Sequence, residues 1–192
     1  MRYIKKYGWV LVLAISLMAG RQSIAQQSYV LSSDQQLKVE GTSTIHDWDM
    51  ISDKATGNAK IELNADNITD INSFAVNLPV ISLKSGKGSM DDNAYEALLA
   101  KQYPQIQFEL TKVENITGQM IKAEGKITIA GTARVILLQV NYKVSEGEIL
   151  FSGGFPITFT QYKIDPPKAM FGTIKTGDEL QISFEATFKL IN

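Results

Sequence analysis

The sequence predicts an all-β protein: an antiparallel meander, either a barrel or a sandwich, with one short helix in a crossover. Three observations predict it. Apolar residues recur at every second position in segment after segment, as in strands with one buried face. Short clusters of turn-forming residues separate those segments, which favours hairpins over parallel crossovers. One stretch alone has a helix-forming composition.

The first element is a leader and not part of the fold. Arg2, Lys5 and Lys6 precede an uncharged apolar run from Tyr7 to Gly20, and Ser23-Ile24-Ala25 places small residues at the −3 and −1 positions of a cleavage site. This is the plan of a secretory signal peptide over residues 1–25, cleaved after Ala25, and it predicts a periplasmic or secreted protein. The run of 14 residues is short for a spanning helix, which needs about 20. A domain over residues 26–192 remains, with no stable membrane insertion once the leader is gone.

Strands then follow in order. They are expected near Leu37 to Thr44, Gly57 to Ala65, Phe74 to Leu78, Ile106 to Leu110, Met120 to Ala130, Ala133 to Ser145, Phe155 to Phe159 and Leu180 to Leu190. The last is the clearest: Leu180, Ile182, Phe184, Ala186, Phe188 and Leu190 alternate with Gln181, Ser183, Glu185, Thr187 and Lys189. Expected turns are Ala65-Asp66-Asn67, Ala130-Gly131-Thr132, Glu146-Gly147-Glu148 and Thr176-Gly177-Asp178. The helix is expected over Asp91 to Tyr103, with Asp91, Asp92 and Asn93 as caps and Pro104 as the stop. Before it, Lys84 to Ser89 reads as a flexible loop without the spacing of a phosphate cradle.

Composition removes much chemistry. The chain of 192 residues has no Cys and one His, so thiolate metal sites, disulfides, a Cys nucleophile and multi-histidine metal centres are excluded. Its net charge is −1; without the four basic residues of the leader, 15 basic side chains face 20 acidic ones, a net of −5. That balance and the scattered Lys and Arg argue against nucleic acid as a partner. Within Thr42 to Asp49, Ser43, His46 and Asp47 invite a hydrolase reading, but adjacent residues of an extended strand point to opposite faces and no Gly-x-Ser-x-Gly elbow exists. A polar turn at a strand end explains the segment better. No catalytic residue, metal site or cofactor motif is predicted. Alternation alone is compatible with a filled or a hollow interior, and favours the filled one.

Three segments carry a resemblance. They are Lys101-Gln102-Tyr103-Pro104-Gln105-Ile106-Gln107-Phe108, then Gly125-Lys126-Ile127-Thr128-Ile129-Ala130-Gly131-Thr132-Ala133-Arg134-Val135, and Phe171-Gly172 followed by Asp178-Glu179-Leu180-Gln181-Ile182. Their order and spacing resemble the YceI-like family of exported, lipocalin-like, polyisoprenoid-binding proteins. The chain departs from the family pattern at Met90 to Ala94, at Val135 and across Ile164 to Gly172, and reads as a divergent member. The resemblance implies an antiparallel eight-stranded lipocalin-like barrel with one short helix in a crossover. It implies an isoprenoid-type lipid or quinone as ligand, held in an apolar tunnel, and a homodimer in some relatives.

The expected function is therefore a non-enzymatic carrier. Expected wall residues are Phe74, Val76, Leu78, Phe108, Leu110, Phe155, Ile157, Phe159, Phe184 and Phe188, with His46 or Arg134 meeting a headgroup. The alternatives are a ligand-free structural or interaction module of the envelope and, after it, an envelope hydrolase.

Overall fold

The computed structural model describes residues 26–191, and the expected leader lies outside them. Among these residues there are ten strands: β1 (Gln26–Ser43), β2 (Trp48–Ser52), β3 (Thr56–Asn64), β4 (Asn67–Pro79), β5 (Gln105–Thr117), β6 (Met120–Ile129), β7 (Thr132–Ser145), β8 (Glu148–Thr158), β9 (Lys168–Ala169) and β10 (Ile174–Leu190). One helix, α1 (Gly88–Ala97), lies between β4 and β5. Neighbours pair in the order β2-β1-β3-β4-β5-β6-β7-β8-β10-β9, and β1 also pairs with β10. That last ladder closes an eight-stranded antiparallel barrel. β2 and β9 are additions to it.

The long strands extend beyond the segments with visible alternation, because bulges interrupt the period. On β4 the inward residues Ile68, Ile71 and Phe74 are spaced by three, where the pairing with β3 slips at Lys60/Ile61 and at Glu62/Leu63. On β5, Leu110, Val113 and Ile116 behave likewise, across shifts at Leu110/Lys112 and Val113/Asn115. Each extra residue changes the face that follows it, so a strict two-residue template stops there. β1 slips between Leu31 and Gln35, which hid its first half, although Tyr29 and Leu31 are core residues.

Two predicted turns take the left-handed pair of conformations that a tight hairpin needs: Ala130 and Gly131 at φ 45 and 75, Glu146 and Gly147 at φ 52 and 80. The turn expected at Thr176-Gly177-Asp178 is not one. These residues lie within β10, where Gly177 packs on the Thr42 hydroxyl and a side chain would collide with it. The helix also differs from expectation. It starts at Gly88, after Lys87 and without a side-chain cap. It ends at Leu98, where Leu99 turns left-handed (φ 52) and the Ala100 amide donates back to the Tyr95 carbonyl at 2.9 Å. Backbone capping stops it well before Pro104.

Asp91 does not cap the helix by its side chain. It is buried and accepts from the Ser85 amide (2.8 Å) and hydroxyl (2.7 Å), with the Lys84 ammonium 3.6 Å away. Lys84 in turn exchanges both backbone hydrogen bonds with Ile51, each 2.9 Å. The loop expected to be flexible is thus tied to β2 at one end and to α1 at the other.

Candidate functional site

The inward faces of the barrel do not meet at its axis. They enclose a cavity of about 410 Å³, within the range of small-molecule sites, about 300–1,000 Å³. All ten predicted wall residues border it: Phe74, Val76 and Leu78 from β4, Phe108 and Leu110 from β5, Phe155 and Ile157 from β8, Phe159 just beyond, and Phe184 and Phe188 from β10. Phe188, Leu78, Ile157 and Phe159 are buried by neighbours and serve as core at the cavity's boundary. Phe74, Val76, Phe108, Leu110, Phe155 and Phe184 are only half-buried, because the space before them is open.

The expected wall set left out Ile106 and Ile182, although both stand in recognised apolar stripes, and Leu37 and Val39 of β1, Trp48 and Met50 of β2, Val140, and the face of α1 carrying Met90, Ala94 and Leu98. β1 was recognisable for part of its length, and β2 was too short to show a period.

The hollow has a physical origin in three glycines that stand in the inward row. At Gly41 the Trp48 ring occupies the place of a side chain; at Gly125 the Phe108 ring does so; at Gly153 the Phe184 ring lies 3.1 Å from where a Cβ would be. Rings that would project to the axis lie flat against the wall. The barrel also splays. β7 and β8 pair only from Ser145↔Glu148 to Val140↔Gly153, after which β8 continues on β10 alone. The 3-10 turn Thr160–Tyr162 packs against both strands, and Tyr162 is one of the largest fully buried side chains.

The two ends differ. Toward one, Phe74, Phe151 and Phe188 form a cluster with ring centroids 4.7–5.7 Å apart, Phe151 edge-on to the other two and Phe74 tilted against Phe188, backed by Tyr29, Ile61 and Ile149. Toward the other, polar residues border the cavity: Ser43 and His46 from the β1–β2 turn, Lys87, Ser89 and Asn93 from the start of α1, and Lys168 and Thr176 from the β9–β10 region. Among the described residues no carboxylate lines the cavity. Burial pushes the Asp91 carboxyl up, and the Ser85 hydroxyl and amide with the Lys84 ammonium outweigh it, holding it below the usual carboxylate range. Asp91 thereby stays ionised and anchors α1 at this end.

His46 is exposed at this rim, its Nδ1 donating to the Asp47 carbonyl at 2.8 Å. Ser43 Oγ donates to the His46 carbonyl at 2.7 Å, so no serine–histidine relay forms and the segment is the polar turn expected of it. Arg134 does not border the cavity; its Nε donates to the Gln161 carbonyl at 2.7 Å on the exposed side. Among the described residues no group of three or more His, Asp or Glu side chains could hold a metal ion.

A family model for the YceI-like domain matches residues 27–188, nearly the whole barrel. The chain belongs to the YceI-like family. Solved structures with the same fold include BcnA from Burkholderia cenocepacia, 19% identical with a TM-score of 0.70, the match covering 82% of this chain and 98% of that one. A polyisoprenoid binding domain from Saccharophagus degradans, implicated in plant cell wall breakdown, is 11% identical with a TM-score of 0.66, covering 87% and 100%. A YceI protein from Campylobacter jejuni is 21% identical with a TM-score of 0.57, covering 71% and 81%. Comparison with curated proteins returns no match. At these identities the likeness to solved structures concerns the fold, and the YceI-like barrel of this chain is described by its own residues.

Proposed function

We propose that this YceI-like protein is an exported carrier that sequesters an apolar isoprenoid-type lipid inside its barrel. The observation that carries the proposal is the cavity of about 410 Å³ walled by aliphatic and aromatic side chains. Such a wall binds by removing hydrocarbon from water, about 0.8 kcal/mol for each buried methylene, and needs few polar contacts. The polyisoprenoid binding domain among its structural neighbours supports the ligand class. Export rests on the leader-like pattern of residues 1–25, and a binding role without catalysis rests on the family and on the lack of a catalytic motif.

Native mass spectrometry of protein purified from its own envelope, with lipid extraction, tests the reading. A co-purified neutral or isoprenoid lipid in stoichiometric amount is expected. A ligand-free protein that also fails to bind any apolar fluorescent probe overturns it.

One observation favours the second reading, a ligand-free interaction module. Where β8 leaves β7, the strand keeps β6 on one side only, and Val135 and Leu137 stand 65% and 71% exposed on its outer face. Cross-linking in the envelope to a protein partner, with an empty barrel, is the result that reading requires.

A further inference from the structure

One hairpin carries apolar side chains into water. β9 pairs with the start of β10 through Ala169↔Ile174 and Lys168↔Lys175, and the turn between them sets Met170, Phe171 and Gly172 in succession at φ 49, 54 and 87. Bulky side chains rarely take this left-handed conformation, which suits Gly, Asn and Asp. At the other β-hairpins the left-handed residue that is not glycine is Ala65, Ala130 or Glu146. Phe171 is fully exposed and Met170 is 69% exposed, so neither adds to the core.

This hairpin stands at the mouth of the cavity. The Thr44 amide of the β1–β2 turn donates to the Lys175 carbonyl at 3.0 Å, which brings Ile45, 61% exposed, to the same end. Ile45, His46, Lys87, Ser89, Asn93 and Lys168 all border the cavity and are all exposed, so the hollow reaches the surface here.

The charge beside the tip is positive. Lys168 and Lys175 are register partners and project from one face; both are exposed, and neither is in an ion pair among the described residues. Like charges set opposite one another destabilise a hairpin unless an anion joins them. From Pro166 to Gly177 the chain has no acid. Asp178, the next residue, accepts from the Thr160 hydroxyl at 2.6 Å, and Asp47 and Asp49 border a separate small depression with Lys87. An apolar tip flanked by two ammonium groups matches the boundary of headgroups and acyl chains in an anionic bilayer, where the apolar groups leave water and the lysines reach the phosphates. Residues 26–192 as a whole carry 15 basic against 20 acidic side chains, so the same surface repels other faces and turns the mouth toward itself.

We propose that the barrel docks mouth-first on an anionic phospholipid membrane. Ile45, Met170 and Phe171 enter the acyl boundary, Lys168 and Lys175 meet the phosphates, and an apolar ligand passes between bilayer and cavity without crossing water. This deepens the carrier reading and rests on it for the cargo, while the docking is measured by itself.

The experiment uses protein purified from its own envelope, with vesicles of equal parts phosphatidylcholine and phosphatidylglycerol and vesicles of phosphatidylcholine alone. Met170→Asn/Phe171→Asn suits the left-handed turn, so it is expected to keep the thermal midpoint of wild type and to lose about tenfold or more in affinity for the anionic vesicles. Lys168→Gln/Lys175→Gln is expected to lose about tenfold or more on the anionic vesicles and nothing on phosphatidylcholine. The chain has no Cys and Thr173 is exposed at the tip, so Thr173→Cys takes a single environment-sensitive fluorophore, whose emission should shift to the blue on the anionic vesicles. Unchanged affinity in both variants, an unshifted fluorophore, or an equal loss in Val135→Ser/Leu137→Ser overturns the docking. So does a protein that ignores vesicles while Thr173→Cys cross-links to an envelope protein, which makes the partner a protein, or while it forms a dimer that Met170→Asn/Phe171→Asn dissolves, which makes it a second copy. Vesicle binding by a protein that takes up no apolar probe removes the carrier reading and leaves the docking, whereas probe uptake without vesicle binding removes the docking alone.

Discussion

The two halves of the barrel interior share one sequence pattern and reach opposite outcomes. In the packed half, Phe188 (0% exposed), Phe151, Ile149, Ile61 and Tyr29 interlock at the density of an ordinary core. In the hollow half, Phe108, Leu110, Phe155 and Phe184 face open space although they occupy equivalent alternating positions. What separates them is the residue beside each ring. Phe188 meets Phe74 and Phe151, whereas Phe108 and Phe184 lie against Gly125 and Gly153. A cavity in a barrel is thus built from small residues next to large ones, not from a shortage of large ones.

Substitutions at the two halves should separate them. Phe188→Ala removes a fully buried ring shared by two aromatic neighbours, and is expected to cost about 3–5 kcal/mol in a urea titration. A cost below about 1 kcal/mol would break the contrast from the packed side. Ala59→Leu overfills that same half, where Ala59 is 2% exposed and stands off the barrel cavity, and is expected to cost about 1–3 kcal/mol.

Phe184→Ala acts in the hollow half. Its ring is half-buried, so about 1–2 kcal/mol is expected, together with weaker uptake of an apolar probe. Val140→Phe sharpens the contrast further. It fills part of the cavity with a larger side chain, is expected to change stability by less than about 1 kcal/mol, and should displace the probe. A cost there equal to that of Ala59→Leu would show that the half is filled.

The smallest effect concerns the end covered by α1. Asp91 has a folded-state pKa below its unfolded value, so its contribution is fully present above the unfolded pKa, near 4, and is lost as pH falls through the lower folded value. Thermal unfolding followed from pH 7 to 3 should show an acid loss that Asp91→Asn reduces. Identical acid profiles for both proteins would remove Asp91 from the account of how the helix is anchored.

Several features were legible before any coordinates. Phe74 to Leu78, Ile106 to Leu110 and Leu180 to Leu190 are strands as expected, Phe155 to Thr158 is one with Phe159 opening the turn beyond it, and the alternating apolar residues of these segments border the cavity except Leu190, which is exposed. The hairpins at Ala130-Gly131 and Glu146-Gly147 were readable because left-handed turns demand particular residues. Where bulges intervene, as at Ile68, Ile71 and Phe74, the face changes without a sequence marker and the strand runs further than its pattern. β2 was missed because five residues carry too little period to stand out.

By itself the sequence determined the class of fold, the inward face of each regular strand and the poverty of catalytic groups, since these depend on local periodicity and on residue types present or absent. Tertiary structure alone decided that the interior is hollow, that Arg134 stands off the cavity and that Tyr162 is buried in its wall. Each of those depends on which residue of a distant strand lies opposite. Phe184 faces Gly153 only through the β8–β10 register, and Tyr162 enters the wall only where β8 has left β7. Alternation specifies a face; register and splay specify whether that face meets another side chain or an empty space.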